Sequence, residues 1–440
     1  MATCFWSPLF LYGVMNKGKI LLQGGTLVGE GYKRRGDVLV CDGVIVSVAE
    51  HIDCDDDVQR IDVSGKVVTY GLADVHVHMR EPGFSAKERM ATGSKAAACG
   101  GFTTVCAMPN LNPVPDTVET IAVEQEIIDR DSVIEVLPYA AITLGRAGEV
   151  VVDVERLKEL SVGFSDDGSG VQNDTVMLEA MKRVAAVDGI IAAHCEDNTL
   201  LRGGYIHDGE YARTHSHKGI CSESEWGQIV RDIELVKESG CRYHVCHISA
   251  RESVEAIRQA KLAGASVSCE TAPHYIALCD DDLQEDGRFK MNPPLRSSAD
   301  RAALIEGIKD GTIEVIATDH APHTAAEKSL GLERSAMGIV GLETAFGVVY
   351  TTLVRSGEIT LEKMVELMCD NPRRIFRLGG SLREGERADI AVFDIEKPYN
   401  VDSTTFATMG RSTPFEGWQL YGKCCMTIYK GNIVWQNIEK

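Results

Sequence analysis

The chain has 440 residues, 44% of them hydrophobic, enough for one large barrel with accessory strands or for two to three ordinary domains. Lys and Arg number 45 against 65 Asp and Glu, and the resulting formal charge of −20 argues against binding to nucleic-acid backbones or anionic lipid. No apolar run approaches the roughly 20 residues of a membrane helix, and none of the 14 cysteines belongs to a Cys-x-x-Cys pair, so reduced thiols in a cytoplasmic protein are expected.

The opening MATCFWSPLFLYGV is apolar like a signal segment, but it lacks a preceding basic residue and a small-residue cleavage site, so secretion is not expected. Residues 1–16 read as an N-terminal extension, with a plausible start at Met15. From about residue 17 to 70, β-branched runs such as KILLQGGTLV and GDVLVCDGVIVSVAE alternate with Gly and Asp turns, which predicts antiparallel strands. The same texture returns in ADIAVFDIEK and CCMTIYKGNIVWQN, so residues 17–70 and 383–440 are expected to form one small β-sandwich.

Between them, over residues 71–382, short apolar strands alternate with amphipathic helices such as ESVEAIRQAKLAG, the pattern of parallel βα units. Eight strands are predicted: ADVHVH, GFTTVCAMPN, IEVLPYAAIT, SVGFSDDG, GIIAAHCED, RYHVCHIS, ASVSCETAPHY and IEVIATDHAPH. The fold class is therefore α/β, a TIM-type (β/α)8 barrel, whose active site would lie at the C-terminal ends of the strands.

Residues two apart on a strand face the same way, so His76 and His78 in DVHVHMREPG can point together into the barrel mouth. Further donors stand at later strand ends: Asp166 or Asp167 in FSDDG, His194 in AHCED, His247 in VCHIS and Asp319 in ATDHAPH. Four imidazoles and two carboxylates suit zinc, and they exceed the three protein ligands that one catalytic zinc uses. Two metals sharing a carboxylate are expected, and the charge balance favours a mono-anionic substrate.

Several groups read more plainly. His244 alternates onto the opposite strand face from His247, toward a helix, and His274 is a candidate support for the ligands. His51, His207, His215 and His217 read as surface residues, and Glu196 as a helix N-terminal or supporting group. The segment HTAAEKSLGLERSAMG is long and rich in small residues, as a closing lid should be, with Glu327, Lys328 and Glu333 as solvated charges.

HVHMREPG, AMPN, GFSDDG, AHCEDN, VCHIS, KMNPPLR and ATDHAPH, in this order, resemble the dihydroorotases of the bacterial single-function type within the amidohydrolase superfamily, over roughly residues 17–438. The resemblance implies two Zn2+ per subunit, with His76, His78 and Asp319 on one, His194 and His247 on the other, and Asp167 touching both. Relatives that bridge their metals with a carboxylated lysine on the fourth strand differ here, since SVGFSDDG has no lysine. The resemblance also implies that Arg80, Asn110 and His323 hold a substrate carboxylate, with His78, Asn292, Met337 and Gly338 around the ring.

Its activity would be reversible hydrolysis of (S)-dihydroorotate to N-carbamoyl-L-aspartate in pyrimidine biosynthesis, through a metal-bridging hydroxide with Asp319 as acid and base. Arg80 fits independently, because it extends the His76–His78 face and a guanidinium fork suits a carboxylate. A homodimer is expected, and association with aspartate transcarbamoylase is left open. The rivals are an allantoinase or hydantoinase, which would lack the carboxylate clamp, and a non-catalytic scaffold, which would have lost metal ligands.

Overall fold

The computed structural model describes residues 18–437; the extension expected over residues 1–16 lies outside them. Near the N-terminus, β1 (Lys19–Gly29), β2 (Tyr32–Cys41) and β3 (Val44–Ala49) form successive antiparallel hairpins. Their turns, Glu30-Gly31 and Asp42-Gly43, place both residues at positive φ (43° and 77°, 49° and 83°). Two-residue turns of that hand match the twist of the strands they join. Lys430-Gly431 repeats the device between strands Lys423–Tyr429 and Asn432–Gln436.

One expectation fails here. β4 (Gln59–Asp62) and β5 (Val67–Tyr70) pair with β1 in parallel, not antiparallel, fashion. The eleven-residue β1 has a register break between Leu22 and Gly25, and each half takes one of the two short strands. On the far side of β5, strand Ile390–Asp394 pairs antiparallel with it and with Lys423–Tyr429. Both ends of the chain thus enter one eight-stranded sheet.

The middle of the chain contributes parallel strands: β6 (Leu72–Val77), β7 (Phe102–Ala107), β8 (Glu135–Pro138), β9 (Ile190–Ala193), then Arg242–Val245, Val267–Thr271 and Val315–Ile316. Every residue of β6 and β7 is buried, as in parallel strands covered on both faces. The pairings run β6–β7–β8 and β9–Arg242–Val267–Val315 by first residue, and isolated bridges close the two gaps. Phe164 bridges Ala140 and Ile191, and His320 bridges Val77, so the pairing returns to its first strand.

The predicted fourth strand, SVGFSDDG, is reduced to those bridges at Phe164. Its chain leaves the ladder because Asp166 turns back to accept hydrogen bonds from the backbone of Ile142 and Thr143.

Helices cover the ring through apolar stripes. Arg251–Leu262 buries Ser253, Val254, Ile257 and Ala260, the spacing of one helical face. The end sheet packs on the same body: Phe393 stacks on Phe346 with centroids 3.6 Å apart, and a Cβ on Gly101 would meet the Phe393 ring at 2.4 Å. Arg387 adds a fork to Glu135 of β8 at 2.8 and 3.0 Å. At the N-terminal side of the ring, buried Arg373 donates to the Gly71 carbonyl at 2.7 Å and lies over the Tyr70 ring.

Candidate metal centre

The six predicted donors lie just beyond or at the ends of their strands and converge. His76 Nε2 is 3.4 Å from Asp167 Oδ1, and His78 Nε2 is 3.6 Å from Asp167 Oδ2. On the other side of Asp167, His194 Nδ1 and His247 Nε2 each lie 3.8 Å from Oδ1 and 2.9 Å from each other. Asp319 Oδ1 sits 3.0 Å from His78 Nε2 and 3.6 Å from His76 Nε2. Two ligand groups therefore share Asp167: His76 and His78 on one side, with Asp319 beside them, and His194 and His247 on the other. Asp166 points away, into the loop that follows β8.

The arrangement fits divalent ions. All six side chains are buried, yet His76 Nε2 and Asp167 Oδ1 have no hydrogen-bond partner. Buried polar atoms seldom stay unbonded. Two donors about 2.1 Å from a tetrahedral zinc are themselves about 3.4 Å apart, so the spacing across the His76 group leaves room for an ion. Burial tends to raise the Asp319 carboxyl pKa, but the imidazoles of His78, His76 and His247 outweigh it and hold that carboxyl well below its usual range.

Backbone strain and supporting bonds aim the donors. Arg80, His247 and Asp319 adopt φ of 64°, 34° and 48°, rare for non-glycine residues, where the chain turns out of its strands. Glu270, on strand Val267–Thr271, reaches His76 Nδ1 at 2.8 Å and His244 Nε2 at 3.2 Å. A carboxylate behind an imidazole fixes its tautomer and leaves Nε2 free as a ligand. Sequence reasoning passed over Glu270, because its neighbours come from other strands; its place in CETAPHY at a strand end was the available signal.

His244 also packs edge-on against Phe376 of helix Asn371–Phe376, in line with its expected outward face. His274 is buried with Nε2 unbonded. Glu196 Oε2 is 3.5 Å from His194 Nε2, and its carboxylate accepts from Asn292 Nδ2 at 3.1 and 3.2 Å.

The groups expected to hold a substrate carboxylate gather next to these donors. Asn110 bonds His78 Nδ1 through Oδ1 at 2.8 Å and donates to Asp167 Oδ2 at 3.4 Å. Arg80 is buried, donates through Nε to the Pro322 carbonyl, and brings Nη2 to 3.4 Å from His323 Nε2. That nitrogen lies 2.8 Å from the Met337 carbonyl, while Lys87 Nζ lies 3.2 Å from His323 Nδ1. Burial and the nearby Arg80 charge lower the His323 pKa to about 3, so its ring is neutral.

Gly338, at φ 133°, donates its N–H to the Lys290 carbonyl. Asn292 Oδ1 remains buried and unbonded.

Four surface expectations are corrected. Lys328 is buried, and its Nζ donates to the carbonyls of Lys290 at 3.0 Å and Ala336 at 2.8 Å. Glu327 is half-buried and paired with Lys87 at 2.8 Å, so of the three charges expected to be solvated only Glu333 is exposed. His207 is half-buried, its pKa pushed down to about 4 by burial and by Arg296, and His217 is held between the Tyr205 hydroxyl and Glu285. In each case the loop folds back over the body of the protein. His51 and His215 are exposed, as expected.

A family model described as Dihydro-orotase-like matches residues 65–253. Over 426 residues the chain is 51% identical to the Dihydroorotase of Bacillus cereus, covering 96% of this chain and 98% of that relative. The chain belongs to the dihydroorotase family. Solved structures agree on the fold of this dihydroorotase family member. The L-hydantoinase (dihydropyrimidinase) of Arthrobacter aurescens superposes with a TM-score of 0.85 at 26% identity, covering 96% of both chains. The dihydropyrimidinase of Brevibacillus agri gives 0.83 at 22% identity over 95% of both.

Proposed function

We propose that the protein is a dihydroorotase, a metal-dependent cyclic amide hydrolase of pyrimidine biosynthesis that interconverts (S)-dihydroorotate and N-carbamoyl-L-aspartate. One observation carries the substrate assignment: Asn110, bonded to His78 and near Asp167, lines the same cavity as Arg80. A carboxylate on the ring is thereby met by a guanidinium beside the reacting centre. Family membership at 51% identity supports the same reading.

His76, His78 and Asp319 would hold one Zn2+, His194 and His247 a second, with Asp167 between them. Two such ions would polarise the ring carbonyl and ease deprotonation of water. Arg80, Asn110 and His323 would hold the carboxylate, with His78, Asn292 and the Met337-Gly338 backbone around the ring. Asp319 accepts the proton given up by the attacking water and hands it to the departing ring nitrogen; ring closure reverses the transfer. Closure consumes one proton overall, so acid conditions favour the cyclic product.

The ring of parallel pairings is best read as a TIM-type barrel over residues 71–382, with residues 17–70 and 383–440 as a β-sandwich. Strand ends then point the donors into its mouth. A homodimer and a cytoplasmic location complete the proposal. All thirteen described cysteines are free thiols, and no described helix is long and apolar enough to cross a membrane.

The likeness to hydantoinases supports a second reading, hydrolysis of uncharged cyclic amides. Purified protein assayed with dihydroorotate and with dihydrouracil, before and after chelation, separates the two. Chelator-sensitive turnover of dihydroorotate is expected. Preference for dihydrouracil would favour the rival.

A further inference from the structure

Beyond the predicted clamp, the mouth of the site carries positive charge that the clamp does not require. A cavity of about 250 Å3 is lined by Arg80, Phe84, Lys87, Asn110, Leu111 and Arg146. Lys87 is partly neutralised by Glu327 at 2.8 Å. Among the described residues, neither arginine has a carboxylate within ion-pair distance, although Asp167 acts on both from farther away. Arg80 bonds the Pro322 carbonyl and approaches the His323 ring, and Arg146 Nη2 donates to Ser169 Oγ at 2.8 Å.

Arg146 Nε is buried and unbonded. On a chain with formal charge −20, unpaired guanidinium groups that line one cavity are not general surface charge.

Arg146 is also held in place. It sits at φ 56°, a conformation L-residues rarely adopt, and its N–H donates to the Thr143 carbonyl at 2.9 Å. Asp166 fixes the start of that loop by accepting from Ile142 and Thr143, and Asp116 accepts from Gly145 at 2.7 Å. The side chain reaches toward the metal ligands. A Cβ on Gly168, next to Asp167, would stand 3.7 Å from Asn110 Nδ2 and 4.0 Å from Arg146 Nη2. Both atoms therefore lie within van der Waals reach of position 168, beside Asp167.

Resting on the dihydroorotase reading, we propose that Arg146 is a further specificity-determining residue, which joins Arg80 and Lys87 in a cationic mouth that draws in and orients carboxylate-bearing substrates. Clefts lined by one sign of charge concentrate opposite ligands and raise association rates, and salt weakens the effect. The open-chain substrate carries two carboxylates against one on the ring. It should therefore depend on Arg146 more strongly.

The test uses metal-loaded enzyme and measures kcat and KM for both substrates from about 0.02 to about 0.3 M ionic strength, a range over which screening changes steeply. In Arg146→Gln, loss of a charge-assisted contact is expected to raise KM for dihydroorotate about tenfold and for N-carbamoyl-aspartate further, with kcat within about twofold. The fall of kcat/KM with salt should become shallower. Arg146→Lys should recover most of that salt dependence. Ser169→Ala, which removes the Arg146 bond but keeps the charge, should retain it.

Parental KM and parental salt dependence in Arg146→Gln would overturn the proposal. So would equal losses in Arg146→Gln, Arg146→Lys and Ser169→Ala, since a role confined to propping the loop predicts them. Parent enzyme inactive on dihydroorotate fails the underlying reading separately.

Discussion

Asp319 is assigned two tasks, holding a metal and moving a proton, that one substitution partly separates. Asn keeps an oxygen ligand and loses the titratable group. Asp319→Asn should retain most bound metal while kcat falls about a hundred- to ten-thousand-fold, the usual worth of general acid-base help. Parallel metal analysis decides the matter: rate and metal lost together would leave the proton role without support.

A second residue bears on stability alone. Glu124, on helix Val118–Asp131, is 1% exposed and neither carboxylate oxygen has a partner. Burial raises its pKa well above the ordinary carboxyl value. The folded chain therefore keeps a proton that the unfolded chain releases above about pH 4.3, and stability is lost as pH rises from there. Glu124→Leu should gain about 1–3 kcal/mol at pH 8 and flatten the decline of Tm with pH above 4.5. A thermal scan series that shows no gain at pH 8 refutes this account.

The contrast between these residues marks what sequence reveals. The convergence of the six side chains from His76 to Asp319 was legible because His and Asp at strand ends stand out against apolar runs. Glu270, Glu124 and Arg146 were not, since their meaning depends on neighbours far away in the chain.

At the scale of elements, the segment between His323 and Gly338 was expected to be a lid with solvated charges. Instead, Lys328 braces it. One ammonium ties Lys290, two residues before Asn292, to Ala336, one before Met337. Burial, and Lys290 nearby, lower the Lys328 pKa to about 7. The unfolded lysine titrates near 10.4, so this segment gains stability as pH rises from about 7 toward that value.

Lys328→Met removes both bonds and the titration. Proteolysis within residues 323–338 should accelerate, and KM for dihydroorotate should rise several-fold or more, as loss of about 1–3 kcal/mol implies. Unchanged cleavage together with unchanged KM would show that the brace is dispensable.

Periodicity does not announce such a brace, because a lysine in a small-residue segment has the same local signature whether it faces water or folds inward. The same limit applied to strands. β6 and β7 were legible as apolar runs, but SVGFSDDG was apolar for too few residues to keep its ladder once Asp166 turned back. The parallel pairing of β4 and β5 could not be read locally, since strand direction depends on the path between strands.

For the whole molecule, the ring matters because it brings distant segments to one carboxylate. Asp167 faces His76 and His78 from the first strand and His194 and His247 from the fifth and sixth segments. Active protein should therefore carry about two divalent ions per chain, more than one tetrahedral zinc site accounts for. Elemental analysis returning one ion in fully active enzyme would remove the binuclear claim.

The pairing of Ile390–Asp394 with β5 also sets an order on synthesis. As the chain leaves the ribosome, Val67–Tyr70 must wait more than three hundred residues for this partner. Until then its outer edge offers open N–H and C=O groups to any passing strand. A chain that ends before Ile390 would keep that edge open, a species exposed to association through it.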